Sequence, residues 1–181
     1  MTWTAYNNYF DEILSNPNPQ APYDNPAYMD YTKMNQKRTN RWLKHGEILP
    51  QMKDAVARIK EDQEWILITE PWCGDAAHSV PFIQMISALS DKIELKIQLR
   101  DSGSEIENYQ TNGGKAIPIL IIRDKAGKDL AVWGPRPAAC QKIFLQLKAD
   151  EADFETQKIT LQNWYNKDNG KSIQLELMGL I

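Results

Sequence analysis

Cysteine is scarce in this 181-residue sequence: only Cys73 and Cys140 occur, 67 positions apart. That excludes a disulfide-dense scaffold, and in a reducing compartment each would stand as a separate thiol. Long hydrophobic runs are also missing. The longest, Ala116 to Ile122, has seven residues, against the ~20 that a membrane-spanning helix needs. Neither sign of charge dominates, with 21 Lys+Arg against 24 Asp+Glu and a net charge of -3. A mildly acidic chain is a poor match for a phosphate backbone, so neither nucleic acid nor a membrane is expected as a partner. The first residues, MTWTAYNNYFDEILS, lack the basic start, apolar segment and small-residue cleavage site of a secretory signal. The expected location is therefore cytoplasmic. Internal repeats and low-complexity tracts are absent. What remains, 42% apolar and 25% charged residues, is the composition of an ordinary folded domain.

Hydrophobic spacing then orders the chain. Trp3, Tyr6, Phe10, Ile13 and Leu14 predict a helix over 3–15. Pro17, Pro19, Pro22 and Pro26 make the next stretch a non-helical connector. Helices follow over 27–44, closed by His45-Gly46, and over 50–60, opened by Pro50. Trp65–Thr69 is a compact β-rich run and Ile93–Leu99 alternates apolar with polar, giving two strands around a helix over 74–90. A short helix capped by Ser104 and a turn at 111–114 come next. Ile119–Arg123 and Leu130–Trp133 flank a hairpin turn, and a helix runs over 137–149. The tail, 150–181, predicts two helices broken at Asp168-Asn169-Gly170.

The chemistry is concentrated where the first strand meets its helix, in Trp72-Cys73-Gly74-Asp75. The first turn of a helix carries unpaired N–H groups and partial positive charge. A thiol there is expected to ionise easily, with a pKa of about 3.5–7.5. Pro81 lies eight residues on, and Ile117-Pro118 precedes the hairpin. These residues resemble the thioredoxin family. Trp72-Cys73-Gly74 is similar to the start of its W-C-G-P-C motif, Pro81 to the proline of its active-site helix, and Ile117-Pro118 to its cis-proline segment. Gly127 and Gly134 also fall where the family has glycines. The resemblance implies an α/β thioredoxin-like fold, a central mixed sheet flanked by helices. It implies Cys73 as the catalytic residue and Trp72, Gly74, Asp75, Ile117 and Pro118 as the substrate-binding surface. It covers residues 63–149, leaving 1–62 as an N-terminal and 150–181 as a C-terminal helical extension. Those extensions, with W-C-G-D and Trp133-Gly134-Pro135-Arg136-Pro137, resemble a bacterial thioredoxin-like subfamily.

Two departures bear on mechanism. The family's second cysteine is replaced by Ala76, and its buried carboxylate by Leu67. A mixed disulfide on Cys73 would have no internal thiol to release it. An external thiol, glutathione or another, is then the implied co-substrate, with protein or small-molecule thiols and disulfides as partners and no resident cofactor.

Other residues have blander readings beside the sharp ones. Asp75 reads first as a helix cap and second as a base or substrate contact, with Lys115 as a counter-charge. His78 reads as a polar position on a half-exposed helix. Cys73, Asp75 and His78 are badly spaced for zinc, so no metal is expected. Cys140 reads as a small buried hydrophobe. Arg100-Asp101 reads as a surface ion pair, and Arg136 either as an anion contact or as a stacked structural arginine. Trp3, Phe10, Tyr31 and Trp42 read as a docking face. Two functions stand: single-cysteine thiol–disulfide exchange, or a thioredoxin-fold binding module without turnover that offers the Pro118 loop to an extended peptide. A peroxidatic cysteine is a third reading, without the upstream threonine that such sites usually have.

Overall fold

The computed structural model describes residues 1–181. Seven helices and four strands follow in the order α1 (Trp3–Ser15), α2 (Pro26–His45), α3 (Pro50–Ala57), β1 (Gln63–Thr69), α4 (Gly74–Ser87), β2 (Ile93–Leu99), β3 (Ile119–Asp124), β4 (Asp129–Trp133), α5 (Ala138–Ala149), α6 (Phe154–Asp168) and α7 (Lys171–Met178). The short helix expected after Ser104 is a single 3-10 turn, Ile106–Asn108. No helix is long and apolar enough to cross a membrane.

The sheet order is β2-β1-β3-β4. β1 runs parallel to β2 and antiparallel to β3, and β3 is antiparallel to β4. β1 lies between two partners with helices on its faces, which is why its run reads apolar without alternation. Trp65, Ile66, Leu67 and Ile68 are all buried, each contributing roughly 1.5–3 kcal/mol of apolar burial. Leu67 fills hydrocarbon where the family resemblance places a carboxylate, so no acid lies at that point of the core.

Side-chain caps fix the starts of α1, α2 and α6. Thr2 Oγ1 accepts from Ala5 N at 3.2 Å, Asn25 Oδ1 from Ala27 N at 2.9 Å, and Asp153 Oδ1 from Thr156 N at 2.9 Å. The break between α6 and α7 is made by left-handed Asn169 and Gly170.

The terminal helices share one core with the sheet, which extends from Tyr6 on α1 to Leu177 on α7. Polar contacts hold the tail. Gln174, fully buried, accepts from Leu49 N at 2.8 Å and donates to Glu47 O at 3.0 Å. Glu176 accepts from Trp133 Nε1 and from Ala138 N, both at 2.7 Å. The tail thereby closes on α5, the helix that follows Arg136.

The Ile117–Pro118 peptide bond is cis. Its loop is seated by Gly134, which has φ 128° and whose added Cβ would lie 2.2 Å from Pro118 O. Only glycine fits that approach and that backbone region. Gly134→Ala is expected to destabilise the protein by about 2–4 kcal/mol through combined strain and overpacking. A denaturant titration reads this as a lowered midpoint at unchanged slope.

Candidate functional site

β1 delivers the chain to Glu70-Pro71-Trp72, and Cys73 forms the N-cap of α4. Cys73 is 7% exposed, and its Sγ donates to Ile117 O at 3.4 Å. The structure therefore brings Cys73 against the cis-proline loop. Of the other sequence-predicted residues, Ile117 and Pro118 are buried while Trp72, Gly74 and Asp75 are half-buried. Trp72 packs edge-on against Tyr28 at 5.7 Å and lies under the Arg100 guanidinium at 4.6 Å.

The thiol is not activated as its position alone suggests. Burial and the neighbouring Asp75 carboxylate push it up to about 12. The N–H groups of Ala76 and Asp75 and the Arg136 charge pull it back only in part. Position at a helix mouth favours the thiolate, but desolvation of a buried anion beside a like charge outweighs it here. The expected low pKa is thus overturned.

Asp75 is not a simple cap. Its Oδ2 pairs with Arg136 Nη2 at 2.6 Å, and its Oδ1 accepts from Tyr165 Oη at 2.9 Å. Both members of the ion pair have side chains 13% exposed. Burial holds the Asp75 carboxyl above its ordinary range, and Arg136 and Tyr165 limit the rise. Lys115 plays no part in this balance, because it pairs with Glu107. Arg136 settles the open choice in both directions. It neutralises Asp75, and it stacks over Phe144 at 4.0 Å. Arg100 pairs with Asp101 at 2.7 Å, the surface ion pair the sequence suggests.

His78 is 4% exposed rather than half-exposed. Its ring stacks on Tyr165 at 4.5 Å and 6°. Trp42 Nε1 donates to His78 Nδ1 at 2.9 Å, which fixes the proton on Nε2, and Nε2 lies 3.2 Å from Gln162 Oε1. Burial and the Arg38 charge lower the ring to about 3, so it is neutral. Cys140 is fully buried, its thiol pushed up to about 12 chiefly by burial.

Three contributors were not legible from the sequence. Tyr165 comes from α6, which nothing in the sequence ties to Asp75. Asn35, fully buried on α2, donates to Pro71 O at 3.0 Å and accepts from Arg38 Nη1 at 2.9 Å, fixing the loop before Cys73. Glu70, 5% exposed, accepts from Asp101 N at 3.1 Å. Burial raises its carboxyl. A glutamate directly after a buried strand was the one available signal.

A family model described as Thioredoxin matches residues 22–154. No curated protein matches the chain. Among solved structures, the chain is similar to an HIV epitope-scaffold, at 13% identity and a TM-score of 0.59, covering 99% of this chain and 97% of that one. It is also similar to a protein of unknown function from Pseudomonas aeruginosa, at 12% identity and a TM-score of 0.55, covering 99% and 96%. At these identities the likeness shows a shared fold.

The neutral buried His78 has a consequence for stability. Below about pH 6.5 the unfolded chain takes up a proton that the folded chain refuses, so stability falls as pH drops toward the folded value. Between pH 6.5 and 5 the loss is expected to approach ~1.4 kcal/mol per pH unit, and His78→Gln flattens it. Urea titrations across that range, on both proteins, measure the slope.

Proposed function

We propose, from the premise that this chain belongs to the thioredoxin family, that it carries out thiol–disulfide exchange through the single thiol of Cys73. The observation that carries the reading is the Sγ of Cys73 at the mouth of α4, hydrogen-bonded to Ile117 O beside cis-Pro118. An extended segment bearing a disulfide would dock across Trp72 and the Pro118 loop. The Cys73 thiolate attacks one sulfur, an S–S bond forms between Cys73 and that sulfur, and the other leaves as thiolate and takes a proton. A second, external thiol such as glutathione then attacks the mixed disulfide and releases Cys73. A reducing, cytosolic setting supplies such a thiol.

The electrostatics make this a slow, retentive exchanger. A thiol near pKa 12 is ionised in about one molecule in 100,000 at pH 7, and its greater intrinsic nucleophilicity recovers only part of that. The same high pKa makes Cys73 a poor leaving group, so its mixed disulfide releases slowly. Burial and Asp75 penalise the thiolate, whereas a disulfide is neutral and escapes both penalties. With Ala76 in place of a second thiol, nothing within the motif shortens the lifetime of the adduct.

A second reading, a binding module without turnover, is favoured by Ala76 and Leu67 occupying the positions of the family's resolving cysteine and assisting acid. In that case Cys73→Ser retains its partner.

Two measurements separate these. Alkylation of Cys73 in a Cys140→Ser background is expected to run roughly two orders of magnitude slower at pH 7 than for an ordinary cysteine. Asp75→Asn, which removes the like charge and leaves an acceptor for Tyr165, is expected to accelerate it about 3- to 4-fold for each pKa unit recovered. Oxidised glutathione is expected to give a Cys73 adduct, seen by intact mass, that outlasts one on a solvent-exposed cysteine. No adduct at any exposure, with partner retention unchanged in Cys73→Ser, selects the binding module.

A further inference from the structure

Beside the first turn of α4, residues of α2, α4, α5 and α6 line a half-open cavity of about 190 Å³. Cys73 is not among its lining residues. Tyr31, Phe144, Phe154 and Leu161 supply apolar walls, and Arg38, Arg136 and Lys158 bring three cations to a space that holds one carboxylate, Asp75. His78, also in the lining, is neutral.

The donors there are incompletely used. Arg136 gives Nη2 to Asp75 and Nη1 to Gln141, but its Nε is buried with no hydrogen-bond partner. A buried, unpaired guanidinium N–H costs free energy until an acceptor reaches it. Arg38 makes one side-chain hydrogen bond, to Asn35 Oδ1, and has no carboxylate within ion-pair distance. Its Nη1 lies 3.9 Å from where a Cβ on Gly74 would stand, at the positive end of α4. Lys158 is paired with Glu155 at 2.6 Å and serves as the rim cation.

We propose that this cavity binds a small organic acid, its carboxylate set between Arg38 and the Nε of Arg136 and its apolar body among Tyr31, Phe154 and Leu161. Planar, forked guanidinium donors suit a carboxylate. The volume lies below the ~300–1,000 Å³ of drug-sized sites, which points to a single-ring acid. The aromatic walls favour that acid over a bare inorganic anion. The cavity shares Asp75 and Arg136 with the surroundings of Cys73, but its test reads ligand binding and needs no reaction of the thiol, so the two readings fail separately.

Benzoate is the probe, with benzamide as its uncharged isostere and inorganic phosphate as the bare anion. Calorimetric titration of the full chain at low salt is expected to show saturable, one-to-one benzoate binding with a dissociation constant below about 1 mM. Benzamide and phosphate are each expected to bind at least ~10-fold more weakly. Arg38→Gln removes the free cation and Leu161→Trp fills the cavity from α6. Each is expected to abolish binding; Leu161→Trp is expected to do so with the rate of Cys73 alkylation unchanged, and Arg38→Gln, which also loses the hydrogen bond to Asn35, is scored on benzoate binding by the folded protein. The proposal is overturned if benzoate does not saturate, if benzamide binds as well as benzoate, if phosphate binds as well as benzoate, or if both variants, folded, bind like the parent.

Discussion

The buried pair of Asp75 and Arg136 is the constraint on which the rest of the site depends. Two side chains, each 13% exposed, meet at 2.6 Å in the first turn of α4. Charges held this far from water are tolerable only when paired and further hydrogen-bonded. Tyr165 supplies a hydrogen bond to Asp75, and Phe144 covers the face of Arg136. The pair therefore requires α5 and α6 to be in place. Glu176 of α7, in accepting from Trp133 and Ala138, holds the segment that carries Arg136. The C-terminal helices thus complete the electrostatics of a site whose cysteine lies far earlier in the chain.

Burial, together with the acid of this pair, explains why a familiar position gives an unfamiliar thiol. Three influences favour the Cys73 thiolate: the N–H groups of Asp75 and Ala76 and the Arg136 charge. Two oppose it, burial and the Asp75 carboxylate, and they prevail. Arg136 is committed to Asp75 first, so its charge reaches the sulfur already neutralised. Where a helix terminus acts alone on an accessible sulfur, the balance tips the other way. The cysteine, the cis-proline and the helix mouth have the geometry that the proposed exchange requires, while burial and the acid two residues on hold the thiol protonated.

The architecture was legible because its signals are local. Apolar residues without alternation marked β1 as the central strand, period-2 alternation marked β2, and proline and glycine marked most of the breaks. The juxtaposition of Cys73 with the Pro118 loop followed from the family resemblance, and the structure sets the Cys73 Sγ on Ile117 O, the carbonyl just before Pro118. Charge and burial at the site were not legible, because they are long-range. His78 reads as a polar helical residue until Trp42, Gln162 and Tyr165 close over it from two other helices. Lys115 looked like the counter-charge to Asp75 by its nearness to the cis-proline loop, but its amine reaches Glu107 instead. Arg136 was singled out by its setting between prolines, yet which anion it meets is decided by the return of α5 to the start of α4.

The most direct test is to titrate Cys73 itself, following its Cβ resonance by nuclear magnetic resonance in the Cys140→Ser protein. The account predicts that the thiol stays protonated through neutral pH, with a midpoint well above the ordinary cysteine value, and that Asp75→Asn moves that midpoint down. A midpoint below about 7 in the unmodified site, the range of an activated helix-terminal thiolate, would contradict it.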